Sequence, residues 1–461
     1  MTAYAGTRTL GAILRERAAT TPDATIVRFE DTALTYADCL ARASRAAAAL
    51  AALGVRPGDR VATMVANSPA AVEIWFGCAL AGVVEVPVNV ELRSELLLDV
   101  AQRSGSTHLF VAREFLPIVE PLADRLPPIV LLEDLAEVAG DTPPPDDVPV
   151  APGDTSVILF TSGTSGASKG VVLNHRANFR LAHAVIENVG IAGSDVLYTM
   201  YPLFHVAARY VSVLAAMIVG GEVVVHRRFT ASGFWDICRA EGVTAIHYLG
   251  TVPMMLFNQP ERPEDAANPV RVAYGAGMPG AIWEAFEARF ALRVHELYGS
   301  TEQGAVAFNN DAARRVGTCG RAVADTELEV HDPNGDPVPP GTVGEIVVRN
   351  RRPGIFFEGY LDMPEATIRA WRDLWFHTGD LGALDADGYL SFHGRLKDAI
   401  RRRGENISAV EVERVVDAIP GVHESAAVGV PSDLGEEELL VVIEPDPDAA
   451  VDPAAVWAHC E

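Results

Sequence analysis

Hydrophobic and polar positions follow two alternating periods along residues 9–150, one typical of helices and the other of strands. Leu10–Ala19 is amphipathic with a helical period, and the next apolar run, Thr25–Phe29, is typical of a strand. Because strands that alternate with helices form βαβ units, the pattern predicts an α/β protein with a largely parallel sheet. The alternation continues with predicted helices at Thr35–Leu53, Ser68–Ala81 and Ser94–Ser104, and with predicted strands at Arg60–Met64, Val83–Val90 and Thr107–Val111.

A second series of strand-like runs follows residue 150. It begins with the β-branched run Val157–Phe160, and a helix is predicted at Ala177–Val189. Further strands are predicted at Val196–Met200, Val270–Gly277 and Leu292–Leu297. The segments Glu222–His226 and Val243–Leu249 are predicted as strands of a second βα layer.

A loop of hydroxyl residues and glycines comes directly after Val157–Phe160. Thr161–Gly170 reads Thr-Ser-Gly-Thr-Ser-Gly-Ala-Ser-Lys-Gly, and hydroxyl and backbone N–H groups together with a lysine are suited to phosphate oxygens. By composition alone such a run is a flexible linker. Strand-like segments on both sides argue against a linker, as does lysine usage: of 37 basic residues only Lys169 and Lys397 are lysine. The Walker A pattern does not fit, because Ser168 stands where that pattern needs glycine.

Length and charge limit the classes of function. A chain of 461 residues that is 49% hydrophobic is globular and large enough for two or more domains. Its net charge of −25 argues against nucleic-acid or anionic-membrane partners. The longest apolar stretch, Val211–Val225, contains Gly-Gly-Glu and is too short to span a bilayer. Five scattered cysteines and an N-terminus without a signal pattern predict a cytoplasmic protein.

Three further motifs follow the loop in order. Tyr298–Glu302 reads Tyr-Gly-Ser-Thr-Glu, Trp375–Asp380 ends in Thr-Gly-Asp, and Gly394–Asp398 reads Gly-Arg-Leu-Lys-Asp. With Thr161–Gly170, this ordered set resembles the adenylate-forming (AMP-binding) superfamily, in its acyl- and aryl-CoA ligase branch. The loop departs from the family pattern only mildly, by carrying Ser168 where proline is common.

The resemblance implies a domain organisation. A large N-terminal domain of βαβ-layered sheets would span residues 1–396, and a small α+β C-terminal domain would span 397–461 after a hinge at Lys397. In the family, the C-terminal domain carries a lysine near its end, but this sequence has no lysine after Lys397. We therefore expect this domain to be incomplete in the chain; the alternative is a protein that lacks this lysine and performs less than the full reaction.

An ATP site is also implied by the resemblance, and its phosphate half comes from the first two motifs. Thr301 would contact the α-phosphate, and Glu302 would bind Mg²⁺, which prefers hard oxygen ligands. The residues expected to act in catalysis are Lys169, Thr301, Glu302 and Arg395. The β- and γ-phosphates would be held by Thr161, Ser162, Gly163, Thr164, Ser165 and Lys169.

The nucleoside half of the implied site comes from later segments. Tyr298 would stack on adenine, and Glu296 would accept from the adenine amine. Asp380 would take both ribose hydroxyls, because a carboxylate only accepts hydrogen bonds, and Arg395 would contact ribose or phosphate. Gly275, Ala276 and Leu297 would complete the adenine wall. Without the resemblance, Gly275–Gly277 and Asp380 are ordinary turn residues.

The acid-binding pocket is expected to follow the strand Val196–Met200. Members of the family that activate amino acids carry an aspartate there, and the matching position here is His205, which argues against an α-amino acid substrate. Small residues favour a bulky aryl or alicyclic acid or a medium-chain fatty acid. The residues expected to contact the acid are His205, Ala208, His247, Tyr248 and Gly277; read alone, His205 is a packing residue.

These residues predict an acyl-CoA ligase that uses ATP, Mg²⁺ and coenzyme A. A carboxylic acid would attack the α-phosphate of ATP, pyrophosphate would leave, and coenzyme A would take the acyl group as a thioester. In one alternative, the adenylate is passed to a carrier protein or a partner enzyme. A second alternative is a nucleotide-binding protein without full turnover, and a third is a luciferase-like oxygenase that shares these motifs.

Overall fold

The computed structural model describes residues 8–145, 148–161, 168–396, 399–402, 405–431, 437–447, 449, 451–453 and 456–457. Contacts divide the chain into two units. The first unit extends through Gly317 and adds Asn350–Thr367, and the second comprises Thr318–Arg349 and the described residues from Ile368 onward. The domain boundary expected after residue 396 falls inside the second unit and stays a prediction. Five predicted residues lie outside the described residues: Ser162, Gly163, Thr164, Ser165 and Lys397.

The secondary structure of the described residues alternates strands and helices over most of the chain. The strands are β1 Thr25–Phe29, β2 Thr32–Thr35, β3 Arg60–Met64, β4 Val84–Pro87, β5 His108–Val111, β6 Ile129–Leu131, β7 Thr155–Thr161, β8 Lys169–Asn174, β9 Val196–Thr199, β10 Glu222–Val225, β11 Ala245–Leu249, β12 Val272–Ala276, β13 Arg293–Ser300, β14 Gly304–Asn309, β15 Arg321–Ala322, β16 Thr326–His331, β17 Gly344–Asn350, β18 Gly359–Tyr360, β19 Trp371–Arg372, β20 Trp375–Leu384, β21 Leu390–Arg395, β22 Ala399–Arg402, β23 Glu405–Ser408, β24 Val422–Pro431 and β25 Glu437–Pro445. The α-helices are α1 Leu10–Thr20, α2 Tyr36–Ala52, α3 Pro69–Ala81, α4 Ser94–Arg103, α5 Leu116–Val119, α6 Leu135–Ala139, α7 His175–Val189, α8 Leu214–Val219, α9 Phe234–Glu241, α10 Val252–Phe257, α11 Trp283–Phe290, α12 Pro364–Ala370 and α13 Ala409–Asp417. Short 3₁₀ helices lie at Arg113–Phe115, Glu120–Arg125 and Leu132–Asp134, and a π-helix spans Ala207–Val213.

One sheet of the first unit has the strand order β14-β13-β12-β11-β9-β10-β1-β2 within that unit. The pairs from β13 to β1 are parallel, and β14 and β2 join them in antiparallel pairs. A large aromatic core packs against this sheet, where the rings of Trp235 and Phe290 stack with centroids 4.3 Å apart. Strands covered by helices are apolar along their length, as Val223–Val225 shows. The predicted strands Glu222–His226 and Val243–Leu249 correspond to β10 and β11, and both lie in this sheet.

The other sheet of the first unit has the order β18-β8-β7-β4-β3-β5-β6. Strands β3 to β7 pair in parallel, whereas β8 is antiparallel to β7 and β18 is antiparallel to β8. The predicted α/β class with largely parallel sheets is therefore confirmed. Strand β4 is shorter than the predicted Val83–Val90 and ends at Pro87.

Side-chain caps set the starts of helices α1, α2, α3 and α7. Thr35 and Asp38 form a capping box at the start of α2, and Ser68 caps α3 ahead of Pro69. Helix α7 begins two residues earlier than predicted, because the Asn174 side chain accepts the Ala177 N–H at 2.8 Å and so fixes the first turn. In the part of the chain that the structure describes, no helix is both long enough and apolar enough to cross a membrane.

The second unit contains a five-stranded sheet in which β16, β17, β20 and β19 are neighbours and β21 pairs with β20. Strand β20 carries the Thr-Gly-Asp motif, and β21 carries Arg395. Two further hairpins, β22–β23 and β24–β25, accompany α13. This mixture of helix and antiparallel hairpins agrees with the α+β composition expected for the C-terminal region.

A strained turn leads into strand β20. Asp373 and Leu374 form the two-residue connection between β19 and β20, and both have positive φ, at 52° and 66°. Such turns favour glycine at these positions, and Leu374 is 80% exposed. We expect Leu374→Gly to raise the free energy of unfolding by ~0.5–1 kcal/mol, because relief of the left-handed strain outweighs the entropy cost of glycine. Chemical denaturation measures this.

Leu374→Ala is the matched control for that variant. It also removes the exposed leucine side chain but keeps a Cβ atom in the left-handed region, so it should leave stability close to wild type. Equal stabilisation by alanine and glycine would show that the exposed side chain, and not the backbone, is the unfavourable element.

Candidate active site

Several parallel strands of the first unit end at one edge of the sheet. Strands β9, β11, β12 and β13 are mutually parallel, so their carboxyl ends at Thr199, Leu249, Ala276 and Ser300 point the same way. Ligands of open α/β sheets bind outside the carboxyl ends of the strands. The predicted adenine and acid residues lie in the carboxyl-terminal parts of these strands or follow their ends.

The ends of the predicted phosphate loop are fixed by a hairpin. Thr161 and Lys169 are register partners of the antiparallel strands β7 and β8, and the Thr161 hydroxyl donates to the Lys169 carbonyl at 3.4 Å. Both side chains are half-buried. The two ends of the loop thus meet at the end of a central strand, where the sequence predicted a phosphate site.

The Glu302 carboxylate is held by two hydroxyl groups. Ser300 Oγ donates to Oε2 at 2.8 Å, and Tyr360 Oη donates to Oε1 at 2.9 Å. The ammonium of Lys169 lies 4.8 Å from the centroid of the Tyr360 ring. Two predicted residues from separate motifs, Lys169 and Glu302, therefore contact the same tyrosine. Sequence reasoning missed Tyr360, because nothing in the local pattern gives it a chemical role. Thr301, next to Glu302, is half-buried.

The carboxylate oxygens of Glu302 suit the magnesium ion that is expected from the sequence. Each Glu302 oxygen accepts one hydrogen bond and keeps a lone pair for a cation. Mg²⁺ binds through one or two carboxylates and takes its remaining ligands from water and substrate phosphates. No group of three or more His, Cys, Asp or Glu among the described residues could hold a metal by itself.

The turn after β12 requires glycine. A Cβ atom on Gly275 would lie 1.8 Å from the Tyr248 carbonyl oxygen, and Gly277 has φ of +104°. Gly275 is buried and Gly277 is exposed, so the turn offers backbone surface at the predicted adenine wall. The neighbouring Leu297 and Tyr298 are 8% and 5% exposed.

Glu296 supports this turn from behind. Its Oε1 accepts the Gly277 N–H at 2.5 Å, its Oε2 accepts the Met278 N–H at 3.2 Å, and the Tyr248 hydroxyl lies 2.5 Å from Oε2. The side chain is only 5% exposed. This differs from the expected contact with the adenine amine, because both carboxyl oxygens are turned towards the protein. We assign Glu296 to the support of the turn.

The stability of the protein should depend on the protonation of Glu296. Burial raises the pKa of Glu296 from 4.5 to about 8, although hydrogen bonds from Tyr248, Gly277 and Met278 oppose the shift. Because the folded pKa is the higher one, this stabilisation is complete below the unfolded pKa and is lost as pH rises through about 8. We expect wild type to lose on the order of 2 kcal/mol relative to Glu296→Gln between about pH 5.5 and about pH 7.5.

Urea denaturation of both proteins across this pH range measures the difference. Other titrating groups are common to the two proteins and cancel, and glutamine does not titrate, so any fixed cost of the substitution is the same at every pH. Parallel pH profiles for wild type and Glu296→Gln would contradict the assignment of the raised pKa to Glu296.

The residues expected to contact the acid differ in exposure. His205 and Gly277 are exposed, whereas Ala208, His247 and Tyr248 are almost fully buried. The His247 ring stacks on Tyr274 and packs against the edge of Tyr201, each with centroids 5.3 Å apart. Burial lowers the pKa of His247 to about 3, and packing lowers the pKa of His205, so both rings are neutral near pH 7. Ala208, His247 and Tyr248 therefore lie behind the exposed surface of the site.

Two buried polar groups fix the backbone of the segment Tyr201–His205. The Asn67 side chain accepts the Leu203 N–H at 2.7 Å and donates to the Tyr201 carbonyl at 3.0 Å. Arg209, in the π-helix, donates through Nε to the Leu203 carbonyl. Arg209 also forms a two-pronged ion pair with Glu85, at 2.5 and 2.8 Å, and its guanidinium lies 4.7 Å from the Trp75 ring centroid. The sequence did not indicate a role for Asn67, Arg209 or Glu85.

In the second unit, the ribose motif and Arg395 come together. Asp380 and Arg395 are register partners of β20 and β21, and Arg395 Nε lies 2.9 Å from Asp380 Oδ1. Glu345, which the sequence did not indicate, accepts the Gly379 N–H at 3.1 Å and contacts His377 Nδ1 at 2.7 Å. Burial alone would raise the pKa of Glu345, but His377 and Arg372 hold it below its ordinary value. A charged carboxylate thus holds the Thr-Gly-Asp turn.

The sequence is similar to a known protein family and to several named enzymes. The profile of the AMP-binding enzyme family matches residues 14–361. A feruloyl-CoA synthase from an Amycolatopsis species is 35% identical over 450 residues, which cover 96% of this chain and 90% of that enzyme. A sulfoacetate–CoA ligase from Cupriavidus necator is 32% identical over 98% of this chain and 91% of that enzyme. A crotonobetaine/carnitine–CoA ligase from Salmonella paratyphi B is 30% identical over 92% of this chain and 86% of that enzyme.

Solved structures give a similar result. A Mycobacterium tuberculosis fatty acyl CoA synthetase superposes with a TM-score of 0.80 at 29% identity, over 98% of this chain and 91% of that chain. ATP-bound MatB from Rhodopseudomonas palustris superposes with a TM-score of 0.88 at 26% identity, over 98% of this chain and 92% of that chain. The fold of the chain is thus that of adenylate-forming enzymes.

Proposed function

The chain belongs to the AMP-binding enzyme family and is an AMP-forming acyl-CoA ligase. On this premise we propose that its substrate is an aromatic carboxylic acid that carries no charged group besides the carboxylate. The predicted family, fold class and acid–thiol ligase activity are confirmed by the relatives. The roles of individual site residues and the identity of the acid are proposals that rest on the geometry of the site.

The choice of acid rests on the segment Tyr201–Ala208, which offers a substrate no charged side chain. Its sequence contains no Asp, Glu, Lys or Arg, and its histidine is neutral. Arg209, the next residue, is 2% exposed and paired with Glu85. A sulfonate or a second carboxylate would need a cation here, and a quaternary ammonium would need an anion or an aromatic cage.

Aromatic rings at this segment favour an aromatic acid. Phe204 and His205 lie with ring centroids 5.3 Å apart, and Tyr201 packs on His247. Flat rings of a substrate pack well against such surfaces, in edge or offset geometry. Among the relatives, the enzyme named feruloyl-CoA synthase fits this chemistry better than those named for sulfoacetate or carnitine.

In the first half-reaction, a carboxylate oxygen of the acid attacks the α-phosphorus of ATP, and the bond to pyrophosphate breaks. Lys169 and the hydroxyls of Thr161–Ser165 would hold the β- and γ-phosphates, and Thr301 would contact the α-phosphate. Glu302 would hold Mg²⁺, which supplies charge neutralisation to the phosphates when it is bound. Tyr298 would stack on adenine, beside Gly275, Ala276 and Leu297.

In the second half-reaction, the thiol of coenzyme A attacks the acyl carbon and loses its proton. The bond between the acyl carbon and AMP breaks, and AMP leaves. Asp380 and Arg395 would keep hold of the ribose. Lys397 is proposed as the hinge about which the C-terminal domain rotates between the two half-reactions, as the resemblance to the family implies. A reducing compartment such as the cytoplasm suits the four described cysteines, which are buried and form no disulfide with one another.

Pyrophosphate release with a panel of acids tests the proposal. The panel contains hydroxycinnamates, medium-chain fatty acids, sulfoacetate, carnitine and α-amino acids, each with and without coenzyme A. We expect release and thioester formation with the aromatic acids first. Preference for a charged acid would overturn the substrate class, and adenylate without thioester would favour a carrier protein as acceptor.

A further inference from the structure

We propose that Tyr360 is a positioning residue for adenylation, whose hydroxyl orients the Glu302 carboxylate while its ring face holds the Lys169 ammonium. One side chain would then set the placement of both the metal-binding and the phosphate-binding group. This inference rests on the proposed function of the site, and the sequence alone predicts no role for Tyr360.

The backbone of Tyr360 is fixed against the phosphate hairpin. Tyr360 pairs with Val171 of β8, the strand that begins at Lys169, and the next N–H group, of Leu361, donates to the Gly170 carbonyl at 2.8 Å. The Tyr360 N–H donates to the Thr367 hydroxyl at 2.9 Å. A short added strand therefore keeps this tyrosine in register with the lysine.

The Tyr360 side chain has little freedom of its own. It is 8% exposed, and its ring packs on Phe357 with centroids 5.0 Å apart. The Phe357 N–H donates to the Glu302 carbonyl at 2.7 Å, so the segment that carries Tyr360 also holds the backbone of Glu302. The placement of the phenol relative to Glu302 is thus determined at two points.

The hydroxyl of Tyr360 orients the carboxylate without consuming it. It donates to Oε1 at 2.9 Å while Ser300 donates to Oε2 at 2.8 Å, and each oxygen keeps a lone pair. A tyrosine hydroxyl is protonated near pH 7, so the phenol acts as the donor to Glu302. A carboxylate held from both sides loses less entropy when a cation binds.

The ring of Tyr360 holds the lysine without neutralising it. The Lys169 ammonium lies 4.8 Å from the ring centroid and is attracted by the negative face of the ring. An ion pair with Glu302 would cancel the two charges that the site needs for separate partners. Contact with a neutral ring leaves the ammonium free to move onto phosphate oxygens.

Two variants separate the two contacts. Tyr360→Phe keeps the ring and removes the hydroxyl, and Tyr360→Leu removes both. Calorimetry would measure ATP binding without acid, once with Mg²⁺ and once with EDTA, and pyrophosphate release would be titrated with Mg²⁺. The control is Tyr36→Phe, which removes the hydroxyl group of a fully buried tyrosine in α2, outside the site.

The expected results differ between the arms. Tyr360→Phe should weaken ATP binding about 3- to 10-fold with Mg²⁺ and leave binding in EDTA unchanged, and it should raise the Mg²⁺ concentration for half-maximal release by a similar factor. Tyr360→Leu should in addition weaken binding in EDTA by about 3- to 10-fold. Tyr36→Phe should change neither.

Other outcomes would overturn the inference. Equal weakening by Tyr360→Phe with Mg²⁺ and in EDTA would show that the hydroxyl does not act through Glu302. Tyr360→Leu behaving as Tyr360→Phe would remove the ring from any role with Lys169. Wild-type protein that binds ATP in this Tyr360-dependent way but releases no pyrophosphate with any acid would contradict the proposed function and leave the inference standing.

Discussion

Replacing Glu302 by glutamine is expected to lower the rate of acid-dependent ATP–pyrophosphate exchange by about 10²- to 10³-fold while the protein stays folded. Glutamine has the size of glutamate and still accepts a hydrogen bond from Ser300 or Tyr360. It lacks the negative charge that a divalent cation requires. Exchange of labelled pyrophosphate into ATP, at saturating acid, measures the effect, and thermal unfolding measured in parallel reports the fold.

Glu358→Gln is the matched control for this variant. Glu358 lies in the same unit and also accepts two hydrogen bonds, from Thr155 and Asn174, each at 3.1 Å. These partners lie at the opposite end of the β7–β8 pair from Thr161 and Lys169. We expect this variant to keep wild-type exchange. Exchange that survives in Glu302→Gln would remove Glu302 from the site.

The site residues that the sequence predicts are those whose chemistry is local. Thr161 and Lys169 come from one loop, and Tyr298 and Glu302 come from one strand end, so short sequence motifs are enough to predict them. The fold class followed for the same reason, because period and capping residues such as Thr35 and Ser68 act within a few positions. Motif order then indicated that these segments meet.

The residues that were missed act across long sequence separations. Tyr360 reaches Glu302 from 58 residues away, Arg209 reaches Glu85 across 124, and Asn67 reaches Tyr201 across 134. No local pattern records such contacts, because strand order in the sheet and not distance along the chain creates them. Glu345 was missed likewise, since its partner Gly379 lies on the neighbouring strand.

Glu296 shows the limit of assigning a role from position in a motif. Its proximity to Tyr298 suggested a contact with adenine. Side chains alternate between the two faces of a strand, but direction alone does not say whether a polar group meets ligand or protein. The turn after β12 leaves the N–H groups of Gly277 and Met278 in need of an acceptor, and Glu296 supplies it.

Replacing Glu85 by glutamine is expected to lower the free energy of unfolding by about 3–5 kcal/mol. Glu85 and Arg209 are 1% and 2% exposed, so glutamine would leave a buried guanidinium without a counter-ion. Urea denaturation measures the loss. The control is Asp265→Asn, which breaks the Asp265–Arg289 pair, also largely buried at 2.7 Å but outside the acid-binding segment.

The same variant should also change substrate binding. Arg209 donates to the Leu203 carbonyl, so a displaced guanidinium would release the backbone of Tyr201–His205. We expect the KM for the acid to rise about 10-fold in Glu85→Gln, with the KM for ATP unchanged. Asp265→Asn should destabilise the protein without a change in either constant. Identical kinetics in the two variants would show that the Glu85–Arg209 pair contributes to the fold alone.

A double variant, Glu85→Leu with Arg209→Met, separates stability from positioning. Apolar replacement of a buried ion pair is often neutral or stabilising, so the double variant should recover most of the stability lost in Glu85→Gln. Neither new side chain can donate to the Leu203 carbonyl, and the KM for the acid should therefore stay raised. Because Asn67 still holds Leu203 and Tyr201, the segment should remain folded but less fixed. Recovery of the KM together with stability would mean that packing alone shapes this wall, and persistence of the raised KM would assign the wall to the hydrogen bond from Arg209.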